Sequence, residues 1–145
     1  MLKARFGEPA PYFIAPSNNR PDYHFSSVAG RNVLLWFASS GSLAQSRALF
    51  DFFLSQRQAF DDQALSLFIV SADPSDKAEA RFRDFIPGIR VLWDFEGHIS
   101  KLYGLAGTRV QGKEFPIFKP GLLLLDHGLR GLAWFDFDQA PTRLW

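Results

Sequence analysis

The chain reads Asn32-Val33-Leu34-Leu35-Trp36-Phe37 and, after Ala38, Ser39-Ser40-Gly41-Ser42. The first run is apolar almost throughout, which is typical of a strand buried on both faces of a sheet. The second run supplies hydroxyl groups of the kind that begin a helix, and apolar residues then recur at roughly helical spacing over residues 43–54. The stretch therefore predicts a central strand followed by an amphipathic helix that runs to about Phe60.

The next segment repeats this order of strand and helix. Leu65 to Val70 is a second apolar run, and a loop over residues 71–76 leads into a predicted helix from Lys77 to Phe85 that ends before Pro87-Gly88. We expect Asp73 and Asp76 to cap this helix. Two strand-helix units in series predict parallel strands joined by a right-handed crossover.

The remaining elements are shorter. The pattern predicts a strand over Arg90 to Trp93, a helix over His98 to Tyr103 that Gly104 closes, and a hairpin of Leu122 to Leu125 with Leu132 to Phe137. The hairpin turns at Asp126-His127-Gly128. Together these elements predict an α/β fold.

Length and composition favour a single domain that spans residues 1–145, because 145 residues that are 47% apolar suffice for one hydrophobic core. Four prolines over residues 7–21 indicate an extended lead-in over residues 1–25, with at most a short edge strand near Tyr12 to Ala15. Residues 138–145 form a tail.

Composition also excludes several classes of function. The chain has no apolar run long enough for a membrane span and no leader-like start, so we expect a cytoplasmic protein without membrane contact. With 16 Lys and Arg against 15 Asp and Glu, nucleic acid is not an expected partner. The absence of cysteine excludes thiol catalysis, and His24, His98 and His127 lack metal-ligand spacing, so neither a cofactor nor a metal is expected.

Five segments in the same order resemble the peroxiredoxin form of the thioredoxin fold, the alkyl hydroperoxide reductase and thiol-specific antioxidant family. The segments are Gly7-Glu8-Pro9-Ala10-Pro11-Tyr12-Phe13, residues 28–37, residues 70–75, Trp93-Asp94-Phe95-Glu96-Gly97 with Leu102-Tyr103-Gly104, and residues 123–128. The resemblance implies a thioredoxin-like fold of peroxiredoxin type, with a central mixed β-sheet and helices on both faces. The closing C-terminal helix of that fold is missing from the predicted elements.

The same resemblance locates a degenerate active-site cleft. The family's P-x-x-x-T-x-x-C motif aligns its proline, threonine and cysteine with Ala38, Ser42 and Gln45. The activating arginine of the family aligns with Pro120. The expected cleft consists of Ala38, Ser39, Ser40, Ser42, Gln45, Lys119 and Pro120, with Phe115 and Phe118 on its rim. Glutamine offers no thiolate, so we expect no peroxidase chemistry.

Pro120 permits two interpretations. Thioredoxins place a cis proline at the start of the corresponding strand, beside their active site, and a cis Lys119-Pro120 bond would resemble that arrangement. The alternative is an ordinary trans proline at the first position of a strand.

These observations predict a redox-inactive peroxiredoxin-like domain that acts as a binding, scaffolding or regulatory module for an unidentified protein or small-molecule ligand. The alternative is an enzyme or small-molecule binder that reuses the cleft without sulfur. A serine hydrolase based on Ser42 or Ser40 with His24 is disfavoured, because the G-x-S-x-G motif is absent. A second resemblance rests on Phe60-Asp61-Asp62, Pro87-Gly88-Ile89-Arg90 and Trp93-Asp94-Phe95-Glu96-Gly97. These segments resemble bacterial redoxin-like domains that precede 2-oxoglutarate and iron-dependent oxygenase domains, which implies a place at the start of a larger protein.

The missing closing helix bears on assembly. We expect a homodimer that buries the region around Trp134, Phe137 and Trp145, or an attached second domain that covers it. The alternative is that Tyr12 to Ala15 folds back over this face and leaves a monomer.

Overall fold

The protein is described here by a computed structural model, over residues 7–18, 21–82, 86–105 and 121–136. Its centre is a five-stranded sheet of β3 (Asn32–Ser39), β4 (Leu65–Ser71), β5 (Ile89–Trp93), β6 (Gly121–Leu125) and β7 (Gly131–Asp136), in the order β5-β4-β3-β6-β7. Strands β3, β4 and β5 are parallel, whereas β6 is antiparallel to both β3 and β7. The mixed sheet and the central place of β3 confirm the predicted α/β class.

In the described residues three α-helices flank the sheet: α1 (Ala44–Ser55), α2 (Pro74–Ala78) and α3 (His98–Leu102). On one face, Trp36 of β3 packs in an apolar cluster with Leu49 and Phe53 of α1. On the other face, Phe37 of β3 packs with Ile99 of α3. Because alternate residues of β3 point to opposite faces, its apolar run supplies both cores. The prediction of helices on both faces is confirmed.

Two helix boundaries differ from the sequence prediction. The first helix ends at Ser55, not near Phe60, and a separate 3-10 turn over Arg57–Ala59 follows it. Phe60 leaves the helical path in extended conformation and is buried beside Phe53. Phe60 continues the helical spacing of apolar residues in the sequence because it is a core residue, although it lies beyond the end of the helix.

The second helix lies earlier in the chain than predicted. It spans Pro74–Ala78, with Pro74 in its first turn and Asp73 as its N-cap, whose side chain accepts the Ser75 N–H at 2.9 Å. The predicted helix from Lys77 to Phe85 is wrong over residues 79–82, because Ala80 has a φ of 53° and breaks the helical path. Residues 83–85 lie outside the described part. The predicted cap at Asp73 is confirmed, whereas Asp76 is a buried residue within the helix with other partners.

The lead-in crosses one face of the sheet and pairs with both of its edges. The N–H groups of Gly7 and Ala10 donate to the carbonyls of Gly131 and Leu129, beside β7. At the other edge, the Trp93 N–H donates to the Pro16 carbonyl at 2.8 Å. Between these points the segment contributes Phe13, so it both covers a core and caps exposed strand edges.

Two short strands belong to this lead-in: β1 (Ile14–Ala15) pairs with β2 (Tyr23–His24). The Tyr103 hydroxyl holds the segment by donating to the Pro11 carbonyl at 2.8 Å. Trp134 of β7 packs against the same cluster as Phe13. The lead-in thus folds back over this face as the alternative in the sequence analysis required, while Phe137 and Trp145 lie outside the described residues.

Candidate functional site

The carboxyl end of β3 leaves the sheet through a bulge and a tight turn. Phe37 pairs with Val70 and Ser39 with Ser71, so Ala38 is an extra residue in the ladder. The Ser40 N–H donates to the Ala38 carbonyl at 2.7 Å across Ser39, whose φ is 63°. A three-residue turn with positive φ at a residue other than glycine is a strained conformation. The chain is therefore bent sharply at the position where the predicted cleft begins.

Ser40 joins this turn to the loop after β4. Its hydroxyl is buried and donates to Asp73 Oδ2 at 2.6 Å. The Ser40 Oγ also lies 2.7 Å from the Ser42 Oγ. Because the single proton of Ser40 is committed to a carboxylate that only accepts, the Ser42 hydroxyl donates to Ser40. The exposed Ser42 therefore presents an acceptor oxygen to the surface of the protein.

Gly41 makes a second connection to the same loop. Its N–H donates to Asp76 Oδ2 at 2.8 Å, and the Ser71 hydroxyl donates to the same oxygen at 2.6 Å. A Cβ at Gly41 would lie 2.8 Å from the Phe82 ring and 3.0 Å from Asp76 Oδ1. Only a residue without a side chain allows this close approach of the two loops.

Arg81 balances the charge of the two carboxylates. One guanidinium nitrogen donates to Asp76 Oδ1 at 2.8 Å and to the Ser75 hydroxyl at 2.6 Å, and it lies 3.5 Å from Asp73 Oδ2. The other donates to the exposed Glu79 at 2.5 Å. The Asp76 side chain is fully buried, so its pairing with a cation is a condition for its burial. We call Ser40, Ser71, Asp73, Asp76 and Arg81 the edge network.

The edge network also determines the protonation state of Asp73. Burial raises the pKa of Asp73, but the hydrogen bonds from Ser40 and Ser75 and the charge of Arg81 outweigh this effect, and the pKa lies below its ordinary value. The hydrogen bond with Asp76 raises the pKa of Arg81. At neutral pH Asp73 is ionised, and a carboxylate of depressed pKa is a poor general base.

Gln45 lies in the first turn of α1 with an exposed side chain. The helix begins at Ala44 after Leu43, which makes no side-chain capping bond. The residue aligned with the peroxidatic cysteine is therefore at a helix N-terminus, as the resemblance implies, but it carries an amide. Amides are neither nucleophilic nor ionisable at neutral pH.

The structure brings together five of the predicted cleft residues, from Ala38 to Gln45, at one edge of the sheet. Lys119, Pro120, Phe115 and Phe118 lie outside the described residues. The next residue, Gly121, pairs with Phe37, and a Cβ there would overlap the ring of Trp134. Trp134 in turn lies beside Phe37, with ring centroids 6.2 Å apart. An indole thus covers the start of β6.

Hydrolase and metal chemistry gain no support at this edge. His24 lies in β2, and no hydrogen bond in the described part of the chain joins it to Ser40 or Ser42. Within residues 7–18, 21–82, 86–105 and 121–136, no three His, Asp or Glu side chains are grouped as metal ligands. The same residues include no helix of the length and apolarity needed to cross a membrane.

The sequence analysis missed Ser71 and Arg81 and misassigned Asp76. The available signal was topological: parallel strands bring their carboxyl ends to one edge, so the polar run after β4 must lie beside the one after β3. The partner cation was harder to find, because a turn beyond the short α2 brings Arg81 back to Asp76.

Structural comparison shows that the chain shares the fold of several redoxins. It superposes on a yeast mitochondrial 1-Cys peroxiredoxin with a TM-score of 0.72 and 14% identity, over 91% of this chain and 67% of that one. A thiol peroxidase from Chromobacterium violaceum gives 0.67 and 21%, over 91% and 76%. A Chlorobium tepidum protein assigned as the thiol:disulfide interchange protein DsbE gives 0.72 and 18%, over 98% and 95%. No protein-family model matches the sequence, and neither does any curated protein.

These similarities define the class of protein by its fold. The chain has the thioredoxin-like fold that peroxiredoxins and other redoxins share. It carries that fold without any cysteine.

Proposed function

We propose that this chain is a redox-inactive redoxin domain that acts as a binding, scaffolding or regulatory module through the edge of the sheet formed by residues 38–45. One observation carries the proposal. At the position where a redoxin presents a reactive thiol, Ser40 and Gly41 are tied to Asp73 and Asp76, and the first turn of α1 presents Gln45. The edge is built as a fixed surface of polar groups.

The fixed loop suits recognition better than catalysis. Binding costs less free energy when the contacting groups are already ordered, and the edge network orders this loop from beneath. The surface above it combines the exposed Leu43 with the hydroxyl of Ser42, an apolar group beside an acceptor. A cytoplasmic location and an N-terminal position in a larger protein, including an oxygenase, belong to the same proposal.

A second candidate is an enzyme or small-molecule binder that uses this edge without sulfur. The exposed oxygen of Ser42 favours it, because that oxygen could accept a hydrogen bond from a small polar ligand. Against catalysis stands the lowered pKa of Asp73, which leaves the Ser42-Ser40-Asp73 chain without an effective base.

Site-specific crosslinking tests the binding proposal. A photoreactive phenylalanine analogue would replace Ser42 in one variant and the exposed Asp51 of α1 in a matched control. We expect a discrete protein adduct in the native host from position 42 that is lost when Leu43→Asp is added. No adduct from position 42, or equal adducts from both positions, would count against a binding edge.

Assembly follows from the apolar residues at the β7 edge. The lead-in packs in the same cluster as Trp134, but Leu132 at the β7 edge is still 39% exposed, and this apolar edge favours a homodimer or an attached second domain that covers it. Light scattering at micromolar concentration tests this part of the proposal. A monomer of 16.4 kDa that Trp134→Ala leaves unchanged would contradict it.

A further inference from the structure

A separate cleft of about 330 Å³ lies beyond the end of β5. The lead-in forms one wall with Ile14 and Pro16, and the turn after β5 forms the other with Phe95 and Glu96. His98, at the start of α3, completes the rim. None of the lining residues belongs to the edge of residues 38–45, so this cleft is distinct from the one that the redoxin resemblance located.

The walls of the cleft are apolar and aromatic. Ile14 is 60% exposed, so much of its side chain is in contact with water. Phe95 is half-buried, and its ring lies 5.7 Å from that of Trp93. An apolar ligand body in the cleft would remove Ile14 and Phe95 from water, which is the usual source of affinity in such sites.

The charge of the cleft is negative. Asp94 and Glu96 are among its lining residues, and no Lys or Arg of the described chain is. Asp94 accepts the N–H groups of Ile99 and Ser100 and the Ser100 hydroxyl, at 2.8 to 2.9 Å, but has no cation partner among the described ion pairs. Burial raises the pKa of Asp94 despite these hydrogen bonds. Glu96 is exposed and adds a second carboxylate at the mouth.

A metal ion does not fit this set of groups. In the described part of the chain, Asp94, Glu96 and His98 do not form a group of three ligands that could hold a metal ion. The Asp94 oxygens are also already engaged by α3. A cation that needs only one exposed carboxylate, and that gains from an aromatic face, fits better.

We propose that this cleft binds a small organic cation with an apolar body, an alkylammonium or arylammonium ion. Its ammonium group pairs with Glu96 and lies near the ring of Phe95, while its apolar part contacts Ile14 and Pro16. A neutral analogue would leave the carboxylate of Glu96 unpaired, and an anionic analogue would be repelled by Glu96. The site does not depend on the function proposed for residues 38–45.

The test is an NMR titration of the ¹⁵N-labelled full chain with three ligands of one shape: benzylamine, benzyl alcohol and benzoate. We expect saturable shifts of the Glu96 and Ile99 amides with benzylamine, weaker binding of the alcohol and no binding of benzoate. Glu96→Gln should weaken benzylamine binding about two- to fivefold, as for an exposed ion pair. Phe95→Leu should weaken it by a similar factor through the lost cation–π contact.

Asp51→Asn on α1 is the matched control, because it removes an exposed carboxylate far along the chain from the cleft. This variant should bind benzylamine as the parent does. Equal affinity for the amine and the alcohol, the absence of saturable shifts, or an equal effect of Asp51→Asn and Glu96→Gln would each overturn the proposal.

Discussion

The carboxylate of Asp76 accepts the backbone N–H of Gly41 at 2.8 Å, across 35 positions of sequence. This bond joins the loop after β3 to the helix that follows β4. In the same network Asp76 accepts the Ser71 hydroxyl and pairs with Arg81. A fully buried carboxylate with three partners therefore fixes the geometry of the edge formed by residues 38–45.

Asp76→Ala should destabilise the protein by about 2–4 kcal/mol, since it leaves buried donors unpaired and removes the main partner of a cation. The estimate is below the full cost of breaking a buried pair because Arg81 is 25% exposed and regains some hydration. Urea denaturation measures the change. Glu79→Gln, which removes an exposed partner of the same Arg81, is the control and should cost about 0–1 kcal/mol. Equal losses for the two variants would show that the buried pair is not a major source of stability.

The pKa of Asp73 should lie below the ordinary value of 3.8 for an aspartate, and the pKa of Asp94 should lie above it. Asp73 has a lowered pKa in the folded state, so its contribution to stability is present above pH 3.8 and is lost as pH falls through its folded pKa. Asp94 has a raised pKa, so its contribution is present below pH 3.8 and is lost as pH rises through its folded pKa. Carboxyl ¹³C shifts against pH measure both. A midpoint above 3.8 for Asp73, or below it for Asp94, would contradict this assignment.

Ser40→Ala should raise the midpoint of Asp73, because it removes a hydrogen bond of 2.6 Å that favours the ionised form. Ser55→Ala, at the exposed end of α1, is the control and should leave the Asp73 titration unchanged. If the two variants give the same Asp73 curve, the hydroxyl of Ser40 does not act on this carboxylate.

Gly121→Ala should destabilise the protein by about 1–3 kcal/mol, because the new methyl group would overlap the ring of Trp134. Gly128→Ala is the control, since a Cβ there meets only Asp126 Oδ1 at 3.4 Å, and it should change stability by about 0.5 kcal/mol or less. In a Trp134→Leu background the Gly121→Ala penalty should shrink. A penalty that is independent of residue 134 would mean that the indole does not lie over the start of β6.

The sheet was predictable from the sequence because its signals are local. The apolar run over residues 32–37 and the later one over residues 65–70 are long enough to read as buried strands, and the Asp126-His127-Gly128 turn joins β6 to β7 as predicted. Helix ends were less predictable. The period of apolar residues continues past Ser55 to Phe60, and nothing local marks the change from helix to core contact.

The edge network was only partly predictable. Ser40 and Ser42 stood out as polar residues at a strand-helix junction. The structure places them there, but neither caps α1, whose N-cap is Leu43. Asp76 looked like a helix cap because it precedes an apparent helical run, but its side chain turns inward to Gly41. Such a contact depends on the distance between two parallel strands, and no pattern within either segment encodes it.

The central part of the proposed function is that this edge is a fixed surface that does not support thiol catalysis. Its most direct test is the second-order rate constant with hydrogen peroxide of Gln45→Cys, compared with Ser55→Cys at the exposed far end of the same helix. The two thiols should react within about tenfold of each other, because the resemblance aligns Ala38 and Pro120 with the proline and the arginine that support the thiolate in the family. Reaction of Gln45→Cys that is faster than Ser55→Cys by several orders of magnitude would show a preserved peroxidatic site and contradict the account.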